Sequence, residues 1–164
     1  MNTQLYRFNE LLDMVEALRG VRQREDFHPE GDAFNHSLQV FYHALHESND
    51  IHTVLSGLLH DIGKRTMPIG HEEEAMHMLT GRVSEKTLWL IRNHLRVRHL
   101  IDGDMRRLNK IQELTSNPWF ADLVLLARWD KMGRKAFYQI HYNREQVISK
   151  LEKLEGGNNG DTCS

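Results

Sequence analysis

Leu58-Leu59-His60-Asp61-Ile62-Gly63-Lys64 ends an apolar run in which Ile51, Val54, Leu55, Leu58 and Leu59 recur at helical spacing. Apolar residues at that spacing carry a helix into a core. A His-Asp pair at its end, followed by a glycine and a cation, is the pattern of a site built where a buried helix stops. Adjacent helical residues point roughly 100° apart. His60 and Asp61 therefore reach one centre only at a helix end or kink, and Gly63 is placed to provide it.

The chain has 164 residues, which suits one domain with its own core. Its 40% apolar and 27% charged content are those of an ordinary globule. A net charge of −2 supplies no bulk field for nucleic acid or a membrane surface. No apolar run approaches the roughly 18 residues of a membrane helix. Met1 to Glu10 is mixed and polar, unlike a secretory signal. The single cysteine, Cys163, has no internal disulfide partner, as expected in a reducing compartment, and the expected location is the cytoplasm. The unusual count is eleven histidines, the residue most used as metal ligand and as acid-base at neutral pH.

Helical periodicity continues on both sides of the opening stretch, and no alternating strand pattern or repeat appears. Leu5, Phe8, Leu11, Leu12, Val15 and Leu18 predict a helix over 3–19, stopped by Gly20. A charged loop over 20–31 precedes a helix from Asp32 to about Ser48. Asn49-Asp50 caps the next helix. Pro68 and Gly70 break the loop 64–70, and Glu72 to Leu79 reads as a short helix with acids in its first turn. Ser84 caps a helix reaching Ile101, and Met105 to Leu114 reads as helical. Asn117-Pro118 opens a helix to about Met132. The last helix is predicted from about Lys135 to Leu154, and residues 156–164 form a polar tail expected to be flexible. The expected architecture is all-α, one domain over 1–155 with six to eight helices.

A buried metal site draws ligands from several helices. His36 lies in the half of its helix that faces the one carrying His60 and Asp61. Asp130 ends the most apolar run of the chain, Leu123 to Ala127. A carboxylate there is costly to bury unless it is paired or bound to a metal. Taken singly, each signal has an ordinary explanation. Asp130 can pair with Arg128, Lys131 or Arg134, and His36 can be a hydrogen-bonded core histidine. Mixed imidazole and carboxylate donors suit manganese, iron, cobalt, nickel or zinc better than calcium. His43 shares a face with His36 two turns away, too far for the same ion. His52, His77, His99 and His141 fall in polar surroundings, Trp89, Trp119 and Trp129 fit core packing, and Arg92 to Arg107 reads as a solvated basic face, with a nucleotide- or RNA-facing role left open by its nearness to His94.

Five blocks then carry a resemblance. They are Phe27-His28-Pro29-Glu30-Gly31-Asp32-Ala33-Phe34-Asn35-His36-Ser37-Leu38, Leu59-His60-Asp61-Ile62-Gly63-Lys64, Gly70-His71-Glu72, Ile91-Arg92-Asn93-His94 and Leu126-Ala127-Arg128-Trp129-Asp130. In order and spacing they are similar to HD-domain phosphohydrolases. The His-Pro-Glu-Gly-Asp-x-x-x-His segment resembles the HD part of bacterial CCA-adding enzymes and poly(A) polymerases. The resemblance covers about residues 26–134. Nothing in the chain resembles the nucleotidyltransferase head of those enzymes, so it is read as a stand-alone HD module, and nucleotide addition to tRNA is not carried over.

The resemblance implies that His36, His60, Asp61 and Asp130 hold one divalent transition metal. It implies that Lys64 meets a substrate phosphate. His71 and His94 match positions that bind a second metal in binuclear members or contact phosphate in mononuclear ones. Glu30 and Asp32 are read as structural residues that cap the second helix and grip the loop before it. A divalent ion acidifies water and polarises a phosphoryl oxygen. Asp61 is placed to orient or deprotonate that water, and Lys64 to neutralise charge on the phosphate. His71 or His94 would protonate the leaving oxygen or hold a second ion. Arg134, one turn beyond Asp130, is a candidate phosphate contact or a salt-bridge partner of Asp130. The implied activity is hydrolysis of a phosphoester on a nucleotide or RNA end, such as a 2′,3′-cyclic phosphate. The alternatives are deoxynucleoside triphosphate hydrolysis and a non-catalytic nucleotide- or RNA-binding module. The pocket for specificity is expected from loops 20–31, 64–70 and 101–118.

Overall fold

A computed structural model describes residues 7–158. Within them lie eight α-helices and no strand: α1 (Phe8–Glu16), α2 (Ala33–Glu47), α3 (Ile51–Leu59), α4 (His71–Leu79), α5 (Glu85–Ile101), α6 (Leu108–Thr115), α7 (Phe120–Met132) and α8 (Arg144–Asn158). The all-α expectation holds. The N-terminal part of the predicted first helix, the end of the predicted tail and Cys163 lie outside the described residues.

Three helix starts are set by capping side chains. The Asp32 carboxylate accepts the amide of Asn35, and its second oxygen accepts the amide of Gly20, so one side chain starts α2 and ties down the loop before it. Asp50 and Ser84 cap α3 and α5 in the same way, accepting from His52 N and Thr87 N. α3 is the central rod. Ile51, Val54, Leu55, Leu58 and Leu59 are buried, and so are Thr53 and Ser56. A helix buried on nearly every side needs its polar groups satisfied internally. The Ser56 hydroxyl donates to Thr53 O, and the Thr53 hydroxyl donates to Asp50. α2, α5 and α7 pack around α3, while α1 and α8 pack on each other at one side of it. Trp129 of α7 and Phe41 of α2 are the largest fully buried side chains of this core. Trp89 and Trp119 meet edge to face, 6.0 Å between ring centroids.

The last helix begins later than its periodicity predicts, at Arg144 instead of Lys135. Residues 133–143 form a strap across α2, because α2 offers that backbone better partners than a helix would. Gln39 receives the amide of Lys135 and donates to the carbonyls of Lys135 and Tyr138. Asn35 donates to Tyr138 O and accepts from Ile140 N. Gly133 starts the strap pressed on α2, where a Cβ would lie 2.5 Å from Val40 Cγ2 and 3.0 Å from Val40 N. At its other end α8 runs on through Gly156 and Gly157, where a tail is expected.

Candidate metal centre

Five elements deliver six donors to one place: His36 from α2, His60 and Asp61 from the end of α3, His71 from the first turn of α4, His94 from α5 and Asp130 from the last turn of α7. All six are buried, none more than 5% exposed. α3 ends at Leu59, and Asp61 leaves helical geometry with φ −107° and ψ 6° before a short 3-10 turn, Ile62–Arg65. That break lets two neighbouring residues face one centre. Gly63 works by closeness rather than by a turn: a Cβ there would lie 2.0 Å from the carbonyl oxygen of His71. The glycine lets α4 press against the 3-10 turn and brings His71 to Asp61.

Asp61 is the hub. Its Oδ2 lies 3.3 Å from His60 Nε2 and 3.7 Å from His36 Nε2. Its Oδ1 lies 3.2 Å from His71 Nε2 and 3.8 Å from His94 Nε2. Asp130 Oδ1 closes the first group at 3.0 Å from His36 Nε2 and 3.8 Å from His60 Nε2. The two oxygens of one carboxylate therefore face two sets of imidazoles.

The tautomers follow from the hydrogen bonds behind the rings. Nδ1 of His36 donates to Gly133 O, of His60 to Gly57 O, of His71 to Pro68 O and of His94 to Ile91 O. A neutral imidazole protonated at Nδ1 presents a lone pair at Nε2. The Nε2 atoms of His71 and His94 face each other at 3.3 Å, and the buried Nε2 of His60 has no hydrogen-bond partner. Lone pairs and carboxylates aimed at common points leave an unbalanced demand for positive charge. A divalent cation meets it, so the donor set fits a metal.

The electrostatics agree. Without an ion, burial favours neutral Asp61, but positive charge on His60 and Lys64 outweighs it and holds the carboxyl well below the usual range. Burial likewise opposes charge on Asp130, and the hydrogen bond from His36 overcomes it. Without an ion, burial works against protonated His36, yet its hydrogen bonds to Asp130 and Glu30 raise its pKa to about 9. Burial, then the charge of His60, pushes His94 down to about 4.

Behind His36 stands Glu30. Its Oε1 lies 2.7 Å from His36 Nδ1 and 2.9 Å from His28 Nδ1, and burial, which would raise its pKa, is overcome by these contacts, which hold it at about 2. Glu30 thus orients a ring of the cluster, a closer role than gripping the loop. Asp32 does cap and grip as expected.

In front of the cluster is a cavity of about 490 Å³. Its inner wall is Lys64, Arg98 and Arg134, each also touching a cluster carboxylate. Lys64 Nζ lies 2.7 Å from Asp61 Oδ2, Arg134 Nη2 3.2 Å from Asp130 Oδ1 and Arg98 Nη1 3.6 Å from Asp130 Oδ2. Lys64 and Arg134 were expected near a phosphate. Arg98 belongs to the basic run whose nearness to His94 leaves a nucleotide-facing role open, and it stands one turn from His94 on the same side of α5. Loops 20–31 and 64–70 contribute walls through Gln23, Phe27 and Pro68. Loop 101–118 does not: Asp104 to Arg107 line a separate cavity with Arg96. Arg128, offered as a partner for Asp130, pairs with Glu47 instead.

An all-helical bundle with a buried His/Asp cluster drawn from its core helices, His60-Asp61 at the centre, defines a class of protein. The HD domain family matches residues 33–132, and the chain belongs to that family. It is 27% identical over 147 residues to a multifunctional CCA protein of Paraburkholderia phymatum, covering 77% of this chain and 35% of that one. It is 29% identical over 163 residues to one of Cupriavidus pinatubonensis, covering 87% of this chain and 39% of that one. A Burkholderia mallei multifunctional CCA protein is 37% identical over 76 residues, covering 42% of this chain and 18% of that one. The chain thus spans little more than a third of these relatives at most. Among the described residues no helix is long and apolar enough to cross a membrane.

Proposed function

We propose that this chain is a metal-dependent phosphohydrolase that cleaves a phosphoester on a nucleotide or an RNA end, such as a 2′,3′-cyclic phosphate. The observation that carries it is Asp61, whose two oxygens face two imidazole groups behind a wall of Lys64, Arg98 and Arg134. His36, His60, Asp61 and Asp130 would hold one divalent ion, and Asp61, His71 and His94 a second. Bound there, a divalent ion acidifies water and withdraws charge from a phosphoryl oxygen.

The residues of the chain do the rest. Asp61, ionised and shared between both groups, orients the attacking water and takes its proton. Lys64, Arg98 and Arg134 neutralise the non-bridging oxygens as charge builds on them. The P–O bond to water forms, the ester P–O bond breaks, and the leaving oxygen departs with the proton that Asp61 took from the water. His94 suits the ligand role better than the acid role, since its Nδ1 proton is committed to Ile91 O and burial keeps the ring neutral. That choice favours two ions over one.

The test is a phosphoester panel of bis-nitrophenyl phosphate, 2′,3′-cyclic nucleotides and deoxynucleoside triphosphates, run with manganese, nickel or cobalt. Cleavage of the cyclic nucleotides by the wild type, lost in Asp61→Ala, is the expected result. Cleavage of triphosphates alone would replace the substrate, and no cleavage of any ester would remove the activity.

A further inference from the structure

We propose that the groove beside the cluster takes the last two nucleotides of a single-stranded nucleic acid, with Arg22 on the phosphate joining them and Phe137 under the penultimate base. This rests on the reading of the cluster as a phosphohydrolase centre and names the class of its substrate.

Phe137 is the one non-glycine residue with positive φ among the described residues, at 57°, and its ring is fully exposed. A left-handed phenylalanine is strained, and an exposed ring gains nothing from the core. The fold nevertheless fixes it. The strap is bonded to α2 on both sides of it, Lys135 through Gln39 and Tyr138 through Gln39 and Asn35. An aromatic ring held outward by pinned backbone is a platform.

The platform stands on a groove. Phe137 lines a cavity of about 690 Å³ that shares Arg22, Gln23 and His28 with the 490 Å³ cavity before the cluster. The inner cavity is the size of a small-molecule site, and the outer one continues it. A mononucleotide in the inner cavity leaves Phe137 without a partner. A second nucleotide reaches it, and the joining phosphate then falls at the shared wall.

The charges fit that path. Lys64, Arg98 and Arg134 sit against the cluster carboxylates, where the terminal phosphate would lie, and Arg24 pairs with Asp26. Arg22 lines both cavities and makes no ion pair or side-chain hydrogen bond among the described residues. Of the two acids in the outer cavity, Asp32 is taken up by the amides of Gly20 and Asn35, leaving Glu25 at the rim. A cation for the backbone and an aromatic face for the base are the two parts with which proteins hold single strands.

Binding of a dinucleotide and the matching mononucleotide, both ending in a 3′-phosphorothioate that resists hydrolysis, tests this by calorimetry. The dinucleotide is expected to bind roughly tenfold tighter to the wild type, the effect of one stacked base. Phe137→Ala removes that advantage and leaves mononucleotide binding unchanged. Arg22→Ala also weakens the dinucleotide and lowers its salt sensitivity. Equal affinity for both probes, an advantage that survives Phe137→Ala, or a nucleoside triphosphate that binds tighter than the dinucleotide overturns the proposal. A protein that cleaves no ester yet keeps the Phe137-dependent preference refutes the hydrolase reading alone. One that cleaves esters without the preference refutes the two-nucleotide groove alone.

Discussion

Gly63 touches His71: the carbonyl oxygen of His71 lies 2.0 Å from where a Cβ on residue 63 would sit. The contact joins the His60-Asp61 turn to the helix that carries His71, so the spacing of the two imidazole groups depends on a missing side chain. Gly63→Ala must push α4 away. Overpacking of this kind costs about 1–3 kcal/mol. His71 moves with α4, so the variant should lose the ion held by Asp61, His71 and His94 before the other one. Calorimetric metal titration checks this, and a variant that binds metal like the wild type contradicts it.

Glu30 Oε1 lies 2.7 Å from His36 Nδ1, so Glu30 should act on metal affinity through that ring. Outer partners of metal-bound histidines are typically worth about 10–100-fold in affinity. Glu30→Gln keeps the shape and removes the charge. Manganese affinity should fall by about that factor while thermal stability of the metal-free protein changes less than in Glu30→Ala.

The pH dependence follows from His36, raised from 6.5 to about 9 in the metal-free site. A raised histidine contributes stability that is fully present below pH 6.5 and lost as pH rises towards about 9. A metal ion displaces that proton, so its binding competes with protons across the same window. Thermal melts should show the metal-free protein losing stability from pH 6.5 to 9 and the increment from added manganese growing over that range. An increment independent of pH contradicts it.

Much of this molecule can be read from its sequence, and the unreadable parts have physical reasons. The core helices follow from apolar spacing and from the caps Asp32, Asp50 and Ser84. The strap 133–143 does not, because its apolar Phe137 and Ile140 keep helical spacing while its hydrogen bonds go to Asn35 and Gln39 a hundred residues away. The six cluster donors lie together, as the resemblance to HD-domain phosphohydrolases implies; taken singly, each has an ordinary explanation. Arg98 and Glu30 are less legible: one looks like any arginine in a basic run, the other like a loop acid, and only the fold sets them against Asp130 and His36. Gly63 is visible in sequence as a stop, but its contact with His71 belongs to tertiary structure.

Asp61 would be shared between two metal ions that serve phosphoester hydrolysis. The most direct test is metal content per chain after manganese saturation and desalting, measured beside hydrolysis of bis-nitrophenyl phosphate for wild type and Asp61→Ala. The expected result is two ions per wild-type chain, with both ions and hydrolysis lost in Asp61→Ala. A wild type that holds fewer than two ions, or an Asp61→Ala variant that keeps them, contradicts it.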